Sequence, residues 1–140
     1  MAEKFVGKWE LMDSENFEEF LQHMGVGEEA QKVAASIKPK LTVDVTDGGN
    51  KWKIHVASTY KTMTTEFELN REFEEDGMDG RKLKSICTFE NGRLTQDQKS
   101  QQAGQHYDVH IVRYVDDAGR LVQEMESEGV KAKRIFARCE

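Results

Sequence analysis

An up-and-down antiparallel β-barrel of about ten strands, a clam with a helix-turn-helix lid after its first strand, is the mainly β fold class that this sequence predicts. Three observations predict it. From Leu41 onward, apolar and polar residues alternate with period two. Turn-forming residues interrupt that alternation at regular intervals, leaving no room for helical crossovers between strands. The only helical spacing lies between the first strand and the rest, over about residues 16–38.

The first strand is expected near Phe5–Met12. The first helix runs from about Phe17 to Met24, with Phe17, Phe20, Leu21 and Met24 forming one apolar stripe. Asn16 is expected to cap it, with Glu19 completing a capping box. Gly25-Val26-Gly27 breaks this helix. The second opens with Glu28 and Glu29, carries the stripe Ala30, Val33, Ala34 and Ile37, and stops at Pro39.

The strands follow. Leu41, Val43 and Val45 alternate with Thr42 and Asp44; Trp52, Ile54, Val56, Ser58 and Tyr60 alternate with Lys53, His55 and Lys61. Met63, Thr65, Phe67 and Leu69 continue the pattern. Turn signals fall at Asp47-Gly48-Gly49-Asn50, Asp76-Gly77, Asp79-Gly80, Glu90-Asn91-Gly92, Ala103-Gly104, Asp116–Gly119 and Glu128-Gly129. A sheet this long must curl and close to remove its edges.

Composition bounds the function. The chain has 140 residues, enough for one domain spanning 1–140. Apolar residues are 37% and charged residues 33%, and the 11 Gly bring the apolar fraction only to about 45%, the low edge of the usual range. One Pro and 12 aromatic residues nevertheless argue for a folded chain. A formal charge of −6 argues against nucleic acid as a partner. No apolar run approaches the roughly 18–20 residues of a spanning helix, and Met1–Phe5 lacks a signal-peptide core. Cys87 and Cys139 are expected to be reduced thiols. A cytoplasmic location follows as the expectation, with the nucleus also compatible.

Strand parity identifies the residues that carry chemistry. Val109, Ile111, Arg113 and Val115 share one face of their strand, and Ala132, Arg134 and Phe136 share one face of the last. Leu121, Gln123 and Met125 face the same way between them. Arg113, Gln123 and Arg134 should therefore converge on the barrel interior. A buried guanidinium needs water, an acid or an anionic ligand. One reading pairs the arginines with internal carboxylates for structure alone. The other gives them a carboxylate-bearing ligand, held by planar forks of donors.

Gly7-x-Trp9-x-Leu11 and Asn16-Phe17-Glu18-x-Phe20-Leu21-x-x-Met24 resemble the N-terminal signature of the intracellular fatty-acid-binding proteins. The resemblance continues through Gly25-Val26-Gly27, Ser58-Thr59-Tyr60-Lys61, Phe67-Glu68-Leu69, Glu72-Phe73 and Asp79-Gly80-Arg81. It ends in Glu128-Gly129-Val130-x-Ala132-Lys133-Arg134-Ile135-Phe136, similar to the closing strand of the intestinal type. It implies a water-containing cavity that binds long-chain fatty acids or similar amphiphiles. Arg113 then matches the family's carboxylate-binding arginine, and Arg134 that of the closing Arg-x-Tyr element. That element here reads Arg134-Ile135-Phe136, without the tyrosine hydroxyl, so Gln123 is the expected substitute.

Tail contacts are expected from Phe17, Phe20, Leu21, Val26, Ala30, Ala34, Val56, Ser58, Tyr60, Met63, Met78, Ile111, Met125 and Phe136. The helix pair and the turns near Tyr60 and Met78 are expected to form the portal, and Lys32, Lys38 and Lys40 to allow transient membrane contact. No cofactor, metal or catalysis is expected: the chain has no Gly-x-Ser-x-Gly, no phosphate-cradling glycine loop and no Cys-x-x-Cys. His106 and His110 share one strand face without further ligands. The expected protein is a monomeric carrier. A retinoid or bile-acid carrier of the same fold, or a lipid-dependent membrane or nuclear interaction protein, are the alternatives.

Overall fold

The computed structural model describes residues 2–25, 27–59, 62–76, 82–100 and 108–139. After a short 3-10 turn come β1 (Gly7–Glu15), α1 (Phe17–His23) and α2 (Glu28–Ser36). The strands β2 (Lys40–Thr46), β3 (Lys51–Ala57), β4 (Thr62–Glu68), β5 (Phe73–Asp76) and β6 (Lys82–Glu90) follow. β7 (Arg93–Ser100), β8 (Val109–Val115), β9 (Leu121–Ser127) and β10 (Val130–Cys139) complete the chain.

All ten strands form one antiparallel sheet in the order β4-β3-β2-β1-β10-β9-β8-β7-β6-β5. Every strand thus pairs with its chain neighbour, except that β1 pairs with β10 and β4 does not pair with β5. The sheet is rolled into a nearly closed barrel with that seam between β4 and β5. Phe67 of β4 stacks on Phe73 of β5 across the seam, ring centroids 5.3 Å apart, so side chains join what the backbone ladder leaves open. Two hairpin turns carry positive φ at consecutive residues, Asn91-Gly92 (53° and 77°) and Glu128-Gly129 (49° and 85°). Their twist matches that of the flanking strands. The turn signals at Gly77, Asp79-Gly80 and Ala103-Gly104 lie outside the described residues.

Two apolar clusters make up the core. One gathers Phe5, Trp9, Leu41, Val43, Trp52, Phe67, Leu94, Leu121 and Phe136. Trp9 is fully buried, and its indole N–H donates to the Phe5 carbonyl at 2.9 Å. The other packs Phe17, Phe20 and Leu21 of α1 and Ala34 of α2 against Val109, Ile111, Met125 and Ala132. The lid is thereby attached to the β8–β10 side of the barrel.

Two local expectations are corrected. β1 begins later than Phe5 and runs on to Glu15, with a bulge between Leu11 and Asp13 that leaves Met12 exposed. Asn16 forms no capping box: it is left-handed at φ 58° and makes no side-chain cap bond. Its Nδ2 instead donates to the Lys131 carbonyl at 2.7 Å, tying the start of the lid to β10. The side chain donates to a distant carbonyl where a cap would accept from the helix's own N–H groups.

Candidate functional site

The barrel encloses a cavity that offers about 230 Å³ to the centres of water-sized molecules. One wall is apolar: Leu41 of β2, Ile54 and Val56 of β3, Met63 and Phe67 of β4, with Ala34, Ile37 and Pro39 above. The other is polar: Glu75 of β5, Gln96 and Gln98 of β7, Arg113, Gln123 and Arg134. Shallower hollows lie on the outer surface, such as that lined by His110, Glu124, Glu126 and Lys131. There His110 Nδ1 hydrogen-bonds Asp97 Oδ1 at 2.6 Å, and Lys131 pairs with Glu126 at 3.9 Å.

Register explains the polar wall. Arg113 lies directly opposite Gln123, and Gln123 directly opposite Arg134, so the three make one row across β8, β9 and β10. Arg113 Nη1 donates to Gln96 Oε1 at 2.8 Å, and its Nε donates to Gln123 Oε1 at 3.2 Å. Arg134 Nε donates to Ser14 Oγ at 3.2 Å, and its guanidinium lies 4.0 Å from the centre of the Phe17 ring on the lid. Neither arginine forms an ion pair with a described carboxylate. Burial lowers the pKa of both, that of Arg134 to about 10. The Glu75 carboxylate opposes the Arg113 shift. A guanidinium keeps its charge at neutral pH, so both groups carry a charge that lacks full solvation. An entering anion relieves that deficit and gains charge-assisted hydrogen bonds.

Cys87 is also fully buried, and burial pushes its thiol up to about 12, so it stays protonated. Both Cys87 and Cys139 are free thiols.

Of the predicted residues, the cavity brings together Arg113, Gln123, Arg134, Ala34, Val56, Ser58, Met63 and Phe136. Phe17, Phe20, Leu21, Ile111 and Met125 face inward, yet they fill the packed cluster under the lid and do not line the cavity. Phe17 still reaches the site through its ring on Arg134. Ala30 is exposed: only the C-terminal part of α2 reaches the barrel, through Ala34 and Ile37, and Ala30 lies a turn short. Val26, Tyr60 and Met78 lie outside the described residues, as do Lys61 and His106.

Glu75, Gln96 and Gln98 are the polar residues that sequence reasoning missed. Parity held the signal: Gln96 and Gln98 share a face with buried Leu94, and Glu75 shares one with Phe73.

A ten-stranded antiparallel barrel closed by a helix pair has known counterparts. Residues 6–138 match the model of the lipocalin / cytosolic fatty-acid binding protein family. The chain belongs to that family. Fatty acid-binding protein homolog 5 of Caenorhabditis elegans is 40% identical over 137 residues, covering 98% of each chain. Among solved structures, apo lipid binding protein 8 of C. elegans superposes with a TM-score of 0.91 at 30% identity, over 99% of this chain and 98% of that one. A Schistosoma mansoni fatty acid binding protein, solved in complex with arachidonic acid, superposes at 0.88 with 28% identity over 99% and 98% of the chains. No described helix of this member of the family is long and apolar enough to cross a membrane.

Proposed function

We propose that this chain is a non-enzymatic carrier of long-chain fatty acids, with the carboxylate on Arg113 and Arg134, Gln123 beside them, and the acyl tail along the apolar wall. One observation carries the reading: two poorly solvated guanidiniums, Arg134 buried and Arg113 half-buried, face a common cavity, and neither is neutralised by a described carboxylate. The arachidonic acid bound to the Schistosoma relative supports the ligand class.

Energetics divide the work between the walls. Each buried methylene contributes about 0.8 kcal/mol, and a hydrogen bond to a charged group a net ~1.5–3 kcal/mol. A tail of about sixteen carbons thus supplies most of the affinity, from which ordering and association subtract several kcal/mol. The arginines orient the ligand and discriminate acids from neutral lipids. Its place of action is read as the cytoplasm, and its form as a monomer.

Competition against a fluorescent fatty acid tests this. Oleate should displace the probe at far lower concentration than oleyl alcohol, and retinoic acid and a bile salt should compete less well than oleate. Equal competition by acid and alcohol would remove the arginines' role; a bile salt or retinoic acid winning would reassign the ligand.

A further inference from the structure

The proposed carboxylate site leaves one charged group of the cavity without a task. Glu75 lines the same cavity from β5. Its Oε2 accepts hydrogen bonds from the Ser85 hydroxyl, from Gln96 Nε2 at 2.6 Å and from Gln98 Nε2 at 3.3 Å. Its Oε1 takes no hydrogen bond from a described residue. Three donors anchored on one oxygen hold the group in place.

Glu75 and Arg113 do not form an ion pair. The Gln96 amide stands between them, accepting from Arg113 at 2.8 Å on one side and donating to Glu75 at 2.6 Å on the other. An anionic and a cationic group are thus presented to the same cavity, one amide apart. A carboxylate only accepts hydrogen bonds. It opposes a second anion and favours a donor such as a hydroxyl.

We infer that the remaining Glu75 oxygen is a subsite for a hydroxyl near the carboxyl end of the ligand, so that the cavity selects long-chain fatty acids hydroxylated within their first few carbons. This rests on the reading that Arg113 receives the ligand carboxylate. One amide and two hydrogen bonds span at most about 8 Å, which confines the hydroxyl to that end of the chain. A hydroxyl carried to the apolar wall loses water without gaining a partner. Beside Glu75 it gains a charged acceptor.

Calorimetric titration of the full chain with palmitate, 3-hydroxypalmitate and 16-hydroxypalmitate tests the assignment. The 3-hydroxy acid should bind about threefold to tenfold tighter than palmitate, and the 16-hydroxy acid weaker than palmitate. Glu75→Met keeps the volume and removes the acceptor. It should bring 3-hydroxypalmitate to the affinity of palmitate or below. Equal affinities of the two hydroxy acids for the unmodified protein would overturn the inference, and that comparison needs no variant to fold. A 3-hydroxy preference that survives in folded Glu75→Met would overturn it as well. Palmitate that does not bind at all would instead overturn the carrier reading, and the subsite with it.

Discussion

Two rows of register partners face the cavity from either side of β1. Leu41, Val56 and Met63 run across β2, β3 and β4; Arg113, Gln123 and Arg134 run across β8, β9 and β10. The rows share geometry and differ in chemistry. The first gains free energy simply by leaving water. The second loses solvation on folding, and burial lowers the pKa of both its arginines. In the proposed carrier the apolar row would serve stability and ligand tail together, whereas the polar row is a cost to the fold that a bound carboxylate would offset.

That contrast can be broken most forcefully at Leu41. Leu41→Ala should lower unfolding free energy by about 2–5 kcal/mol in urea titrations, and palmitate and hexadecanol should lose affinity together. Arg113→Leu should do the reverse. Oleate affinity should fall about 10- to 100-fold, hexadecanol affinity should stay within about twofold, and stability should hold or rise because a buried charge has been replaced by an apolar group. A large loss of stability in Arg113→Leu would show the arginine to be structural.

Arg134 sharpens the same contrast through pH. Its folded pKa of about 10 lies below the ordinary guanidinium value, so between the two the unfolded chain holds the extra proton. Its contribution to stability therefore rises with pH across that window, while below about 10 the burial penalty is fully present. Carboxylate affinity moves the opposite way, falling as pH rises through about 10 and the guanidinium loses charge. Oleate titrations from pH 8 to 11, compared with Arg134→Gln, isolate this group; a decline of the same size in the variant would assign it elsewhere. The smallest effect is expected at Ala30. Being exposed, Ala30→Ser should change stability by less than about 0.5 kcal/mol and leave oleate affinity unaltered.

Both rows are legible as period-two alternation, because strand parity assigns every other side chain to one face wherever an apolar majority marks the inside. Arg113, Gln123 and Arg134 were readable for that reason. Glu75 was harder to read because β5 is only four residues long, too short to establish a period. Gln96 and Gln98 share a face with one apolar residue, Leu94, and polar partners obscure the pattern. In the lid, helical spacing correctly marked Phe17, Phe20 and Leu21 as inward, but inward positions under a lid can meet packed side chains or open space. Spacing does not distinguish the two.

The sequence by itself determined the barrel, its order of elements and the inward direction of two arginines, since these follow from periodicity and turn chemistry within each segment. Only the tertiary structure decided that Asn16 serves β10 in place of its own helix, that Ala30 stays in solvent, and that Glu75 meets Arg113 through Gln96. Each of these depends on which strands become neighbours when the sheet rolls up. That closure is set by contacts far apart along the chain, which no local pattern of residues records.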